Sequence, residues 1–269
     1  MARNIGDHAS HSLSHKKGPT IMQTEVITKL RNQPLQLRVR DLLLSALTVS
    51  SGAVDAISFL ALGKVFSAFM TGNIAFLGLR VAGASAPGAV AILVSIASFA
   101  VGVYVSTQIV KSSESSGIWP EKVTIALAVS LIGHAAFLGI WFAKSGQPSV
   151  DVAHVLLGLW GFAMGIQSAA VRTLRVDGVF TTAATATIIF LVGDFTNWPE
   201  TAAERRRLAG VLVALFFGAT AGGLLLVHAQ IYAPVLPFVI TVATVASAAI
   251  VFPEQRMAPR TSGMLRKHA

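Results

Sequence analysis

Cysteine is absent from this chain of 269 residues. That excludes disulfides, thiol nucleophiles and metal sites built on thiolates. Charge is scarce as well: Asp, Glu, Lys and Arg make up 12% of the residues, about half the ~25% of an average soluble domain. The 12 carboxylates lie mostly in tails and loops, so hydrolysis by paired acids has no visible machinery. No Walker loop, no Rossmann glycine pattern after a strand and no His-Glu-x-x-His motif occurs. An enzyme is therefore not expected, and no cofactor or metal is implied. Apolar sequence is what remains: 54% of residues are hydrophobic, with a mean hydropathy of +0.68. An all-α integral membrane protein, a polytopic helical bundle, is the economical reading. The net charge of +9 is better explained by basic residues that orient apolar spans than by nucleic acid, which is not expected as a partner.

A spanning helix needs ~20 mostly apolar residues to cross ~30 Å of hydrocarbon. Six stretches meet that standard: Leu42–Leu62, Pro87–Val110, Val123–Phe142, Val152–Val171, Leu208–Ala229 and Tyr232–Phe252. Two shorter ones, Val65–Val81 and Val179–Phe195, begin in Ser, Thr, Gly and Asn. If these two enter and leave on one side, a cytoplasmic N-terminus puts 18 Lys/Arg inside and three outside (Lys64, Arg80, Lys144). Eight full crossings give 16 and five. Both satisfy the positive-inside tendency, six crossings somewhat better, and both place the two termini in the cytoplasm. Residues 1–40 lack a signal peptide's compact apolar stretch and read as a basic, partly disordered cytoplasmic tail. Within it, Met22, Val26 and Leu30 suggest a short interfacial helix that Pro34 interrupts. The membrane domain is 41–252, and a second basic tail is 253–269.

The two short segments align without a gap at a shift of 114 residues. Over Gly52–Gly78 against Ile166–Val192, eight of 27 positions are identical, among them Val65/Val179, Phe66/Phe180, Thr71/Thr185 and Phe76/Phe190. Two repeats follow, about 41–143 and 152–252. With three crossings and one re-entrant or broken segment in each, the second is inverted relative to the first, a common transporter design.

Gly52-Ala-Val-Asp55-Ala56, Phe59-Leu-Ala-Leu-Gly63-Lys-Val65-Phe66 and Met70-Thr71-Gly72-Asn73 resemble the signature of the YoaK family of bacterial multi-pass membrane proteins. The second half agrees through Gly161-Phe-Ala-Met164-Gly165-Ile-Gln167-Ser-Ala169, Arg172 and Thr181-Thr182 with Thr185. The resemblance covers roughly residues 40–252. It departs at Thr185-Ala186-Thr187, where Thr-Gly-Thr would be expected. It implies an inner-membrane location and a domain of unknown function, with no established substrate.

Polar residues inside the spans are the candidate site. Asp55 lies two-thirds along the first span, where a carboxylate costs ~2.5–3.5 kcal/mol on insertion scales and normally faces protein or a cavity. It reads as a proton or cation site, as an acceptor for the Thr-rich segments, or as a residue solvated near the headgroups. Thr71, Gly72 and Asn73, with Thr181, Thr182, Thr185 and Thr187, offer hydroxyls, an amide and half-helix N-termini suited to a polar or anionic solute. Equally, such hydroxyls bond their own helix or cement neighbours. Gln167 needs an interhelical partner. Arg172 is either an orientation signal or an anion clamp at a pore mouth. His134 is a proton relay or a packing residue. Gly161/Gly165 and Gly218/Gly222 allow close helix approach, within the chain or in a homo-oligomer. The expectation is a secondary transporter or permease for a small polar solute or ion. The alternative is a non-transporting module that binds lipid or a partner protein.

Overall fold

At membrane depth no water bonds the peptide groups, so long apolar runs close their hydrogen bonds internally as helices. The computed structural model describes residues 19–111, 117–174, 176, 188–189, 192 and 202–252, with only the backbone course for 19–33 and 202–205. Its helices are α1 (Pro19–Ala61), α2 (Met70–Val81), α3 (Ala89–Lys111), α4 (Glu121–Ala143), α5 (Val150–Arg172), α6 (Ala202–His228) and α7 (Val235–Val251), with a 3-10 turn at Gln230–Tyr232. Among the described residues there is no strand. Six helices are long and apolar enough to cross a membrane: α3, α4 and α5, with Pro34–Ala61 of α1, Arg206–His228 of α6 and Gln230–Val251 around α7. They match the six stretches expected from hydropathy. One expectation is corrected: α1 runs through Pro34 without interruption, so Met22, Val26 and Leu30 lie on a helix continuous with the first span.

The 12 residues of α2 reach only about 18 Å, too short to cross. The chain turns back at Gly63 and Lys64, both at positive φ (104° and 63°). The Lys64 amide donates to the Phe59 carbonyl at 3.1 Å, closing α1 in the manner of a Schellman cap. Residues 65–69 then fold back beside Asp55, six residues before the end of α1 and so about 9 Å inside it. From there α2 returns to the end where α1 stopped and α3 begins. The segment Val65–Val81 is thus a re-entrant hairpin. The corresponding stretch Val179–Phe195 lies almost entirely outside the described residues.

Two helix pairs hold the bundle together. α1 packs along α6, and α3 along α5. Each pair is parallel and meets through glycine. A Cβ on Gly218 would overlap the Val49 carbonyl oxygen, and one on Gly222 would come within 2.7 Å of the Ala53 Cα. In the second pair, Gly165 overlies the Phe99 carbonyl and Gly102 the Phe162 carbonyl in the same way. Small-residue spacings let backbones approach where lipid supplies no hydrophobic drive between helices. α4 lies against α5 as α7 lies against α1, and α4 meets α7. Subtracting 114 from the second-half helices gives 36–58, 88–114 and 121–137, which fall on α1, α3 and α4. All four buried positions of α7, Pro237, Thr241, Thr244 and Ala248, fall at that shift on buried Val123, Leu127, Ser130 and His134 of α4.

The core is split in two. One apolar cluster (Leu43, Leu47, Leu127, Ile166, Ala248 and others) lies toward the end holding the C-termini of α3, α5 and α7. The other (Val54, Ile57, Phe137, Trp141, Leu156, Trp160 and others) lies toward the hairpin.

Two outcomes check this arrangement. Single cysteines at Lys64 and Arg80 of this Cys-free chain will react with an impermeant maleimide from the same face of sealed vesicles; reaction from opposite faces would mean that α2 crosses. Gly218→Leu will overpack the α1/α6 contact and cost about 1–3 kcal/mol or more, read as a fall in Tm of the purified protein.

Candidate functional site

A broken helix inside a bundle leaves amides and carbonyls that neither water nor lipid can satisfy. The hairpin solves this with side chains. Oδ1 of Asp55, on α1, accepts the amides of Ser67 (2.9 Å) and Ala68 (2.7 Å). Asn73, fully buried on α2, pairs with both backbone groups of one residue, Phe66. Its Oδ1 accepts the Phe66 amide at 3.0 Å, and its Nδ2 donates to the Phe66 carbonyl at 2.7 Å. Ser95 of α3 donates to the same carbonyl at 2.6 Å and accepts from Asn73 Nδ2 at 3.2 Å. Ser58 and Ser67 share a hydroxyl bond of 2.8 Å. Phe66 is stacked on Phe59 and Phe76, at centroid distances of 5.0 and 6.0 Å. The Asp55 carboxylate therefore sits beside the N-terminal end of α2, where the partial positive charge of the half-helix favours an anion.

The candidate residues distribute unevenly. Asp55 and Asn73 come together in the hairpin, where Asp55 Oδ1 and the Asn73 amide bond mainly to backbone. The anion-favouring end of α2 is occupied by the protein's own carboxylate. Gly72 lies inside α2 without a positive φ. Its smallness serves space, because a Cβ there would come within 2.6 Å of the Phe69 ring and 3.1 Å of the Phe66 ring. Thr71 is exposed on α2, and Arg172 is exposed at the end of α5, remote from the hairpin. Thr181, Thr182, Thr185 and Thr187 lie outside the described residues. Gln167 crosses to α1: its Nε2 donates to the Leu47 carbonyl at 3.2 Å, and it is fully buried.

Gln167 belongs to a second polar feature. In the interior of the bundle, the inner helices α1, α4, α5 and α7 carry Thr48, Ser50, Ser51, Ser130, His134, Gln167, Thr241 and Thr244, all buried. Several are satisfied locally. Thr48 donates to Leu44, Ser130 to Leu127 and Thr241 to Pro237, while Ser50 bridges to Thr241 and the Pro237 carbonyl at 3.3 Å. Others are not. Ser51 Oγ, both ring nitrogens of His134, Trp160 Nε1, Gln167 Oε1 and Thr244 Oγ1 are buried without a partner among the described residues. His134 is 1% exposed, tilted against Trp160 at 6.5 Å, and Trp160 is stacked on Phe137 at 3.5 Å. An unmet buried polar group costs ~1–3 kcal/mol, so these groups, a polar belt spread over about two turns of α5 between Trp160 and Gln167, call for water or a solute. Ser51, Thr244 and Trp160 were not candidates from sequence. Thr244 could have been found from its match to Ser130 at the shift of 114; Ser51 and Trp160 carry no such signal.

The family described as "Protein of unknown function (DUF1275)" matches residues 43–247, which spans the hairpin, the belt and both parallel pairs. The chain belongs to this family. The DUF1275 assignment agrees with a curated relative, "UPF0700 transmembrane protein YoaK" of Bacillus subtilis (strain 168). That protein is 35% identical over 158 residues, 59% of this chain and 68% of the relative. No solved structure matches.

In this DUF1275 protein, Asp55→Ala will strand the Ser67 and Ala68 amides and lower stability by about 2–4 kcal/mol, two unmet groups at ~1–3 kcal/mol each with partial relaxation. Asn73→Leu will strand the Phe66 amide, while Ser95 still serves the carbonyl, and will cost about 1–3 kcal/mol. Thermal unfolding in lipid nanodiscs measures this, with Thr71→Val as the near-neutral reference.

Proposed function

We propose that the protein is a permease of the bacterial inner membrane, with both termini cytoplasmic, that passes a small polar solute or ion through the mid-bundle belt. One observation carries this reading. Unpartnered polar atoms from four helices, two of each half, are enclosed in the interior of the bundle, from the Leu47 level of one apolar cluster to Trp160 in the other. A dry structural bundle gains nothing from leaving such atoms unpaired. Two further features support it: the helix registers that agree at a shift of 114, and the opposed course of the two halves, as in inverted-repeat transporters. The basic residues support the orientation. Lys111, Lys122, Arg172, Arg206 and Arg207 lie at the end of the termini, against Lys64, Arg80 and Lys144 at the other. The hairpin's part is to support: Asp55 and Asn73 hold the broken backbone while the belt meets the solute. Access would alternate by tilting the α1/α6 pair against the α3/α5 pair.

The hairpin also favours a second reading, a membrane module without transport, because Asp55 Oδ1 and Asn73 bond within it. Flux separates the two. Proteoliposomes with the purified protein will pass a solute that empty liposomes retain. Gln167→Leu will lower that flux about tenfold, the equivalent of ~1.4 kcal/mol in the passage barrier, while Thr71→Val leaves it unchanged. Absence of flux across neutral and charged small solutes leaves the module reading standing.

A further inference from the structure

We propose that the outer face of α6 is a docking surface for an anionic phospholipid, with Arg206 meeting the phosphate and the helix below it meeting an acyl chain. The surface is the same whether the protein is a permease or a module without transport. Arg206, Gly210, Val213 and Phe217 recur at intervals of three and four residues, so they form one stripe along α6. That stripe is turned outward: Val213 is 51% and Phe217 61% exposed, and Arg206 is exposed too. The other side of α6 carries buried Leu208, Val211 and Ala214, with Gly218 and Gly222 against α1. Among the described residues Arg206 has no ion-pair partner, and Asp41 is taken by Arg40 at 2.8 Å. Three and four residues to either side of Arg206 stand Ala202, Ala203, Ala209 and Gly210, so its own helix offers no carboxylate on that face. A guanidinium left in this way is matched by a phosphate, which it can meet with two parallel N–H bonds.

Depth fits the same partner. Between Arg206 and His228, the ends of the apolar part of α6, the helix rises about 33 Å, against ~30 Å of hydrocarbon. Arg206 therefore stands at headgroup level, and Gly210 to Phe217 lie among acyl chains. Gly210 gives the stripe its shape. At Gly218 and Gly222 a Cβ would collide with α1, but at Gly210 it would meet nothing within 4 Å. Packing among the described residues thus places no demand on Gly210, although glycine weakens a helix interior. Its missing side chain leaves a notch one turn below the arginine, walled by Val213, with Phe217 and its T-shaped neighbour Phe216 (5.6 Å) beneath. A chain hanging from a phosphate held by Arg206 would enter that notch. Basic side chains near an anionic membrane surface favour anionic lipid about fivefold each.

The test uses the full chain in nanodiscs of equal phosphatidylglycerol and phosphatidylcholine, with native mass spectrometry reading the lipid that the released protein retains. Both leaflets are identical there, so the result is independent of the orientation set at insertion. Wild type is expected to retain phosphatidylglycerol over phosphatidylcholine by at least about fivefold. Arg206→Gln is expected to bring the two lipids level, whereas Lys64→Gln, the same loss of charge at the opposite end, leaves the preference unchanged. Gly210→Leu alters no charge and meets no neighbour within 4 Å of its Cβ. It is expected to lower the retained phosphatidylglycerol about twofold or more. Equal retention of both lipids by wild type overturns the surface. Equal falls in Arg206→Gln and Lys64→Gln make the preference one of net charge and overturn the site. A Gly210→Leu protein with full retention overturns the notch. A two-copy species without bound phosphatidylglycerol overturns the lipid in favour of a second copy of this chain.

Discussion

Hydrocarbon cannot hydrogen-bond a peptide group, and the architecture follows from that one restriction. Six stretches comply by forming full-length helices. The seventh helix, α2, is too short, and the chain leading into it is not helical at all. That stretch survives at depth because Asp55, Asn73 and Ser95, from three helices, supply the bonds that a helix would have made with itself. Asn73 acts here as a substitute peptide, presenting C=O and N–H to the two faces of Phe66. Such a substitution works only in a fixed register, so the hairpin also pins α1 against α3.

Hydropathy alone was enough to find the six long helices, because length and apolarity are properties of each segment taken separately. The hairpin was visible as an anomaly in composition, and its signature residues were the right ones to notice. Their role was not. A carboxylate and an amide look alike in sequence whether they meet a solute or a neighbouring backbone, and only the fold of residues 65–69 onto α1 decides it. Gly72 shows the same limit: it suggested unusual dihedral angles and proved to be a matter of space beneath two aromatic rings. The belt was harder still. Ser51, His134, Gln167 and Thr244 lie on four helices far apart in the chain, and nothing local shows that all four face the interior of the bundle. That comes from interhelical packing, set by glycine contacts such as Gly165 on Phe99.

The polar groups thus divide into two economies. Those near the hairpin bond mostly to broken backbone, and they rigidify. Several of those at the belt have no partner among the described residues. The two sets meet on α1, where Ser51 stands about one turn before Asp55.

The parallel, glycine-locked pairs have one more implication. Each joins a helix from the first half of the chain to one from the second: α1 to α6 and α3 to α5. During synthesis, α1 is inserted long before its main neighbour exists, and until then its small-residue face around Gly52 and Ala53 can meet only lipid. The bundle must therefore be assembled late, after the ribosome has delivered α6, and neither half severed between α4 and α5 would retain the contacts that define it. The two halves of the chain are woven together, and each depends on the other for the contacts that hold it.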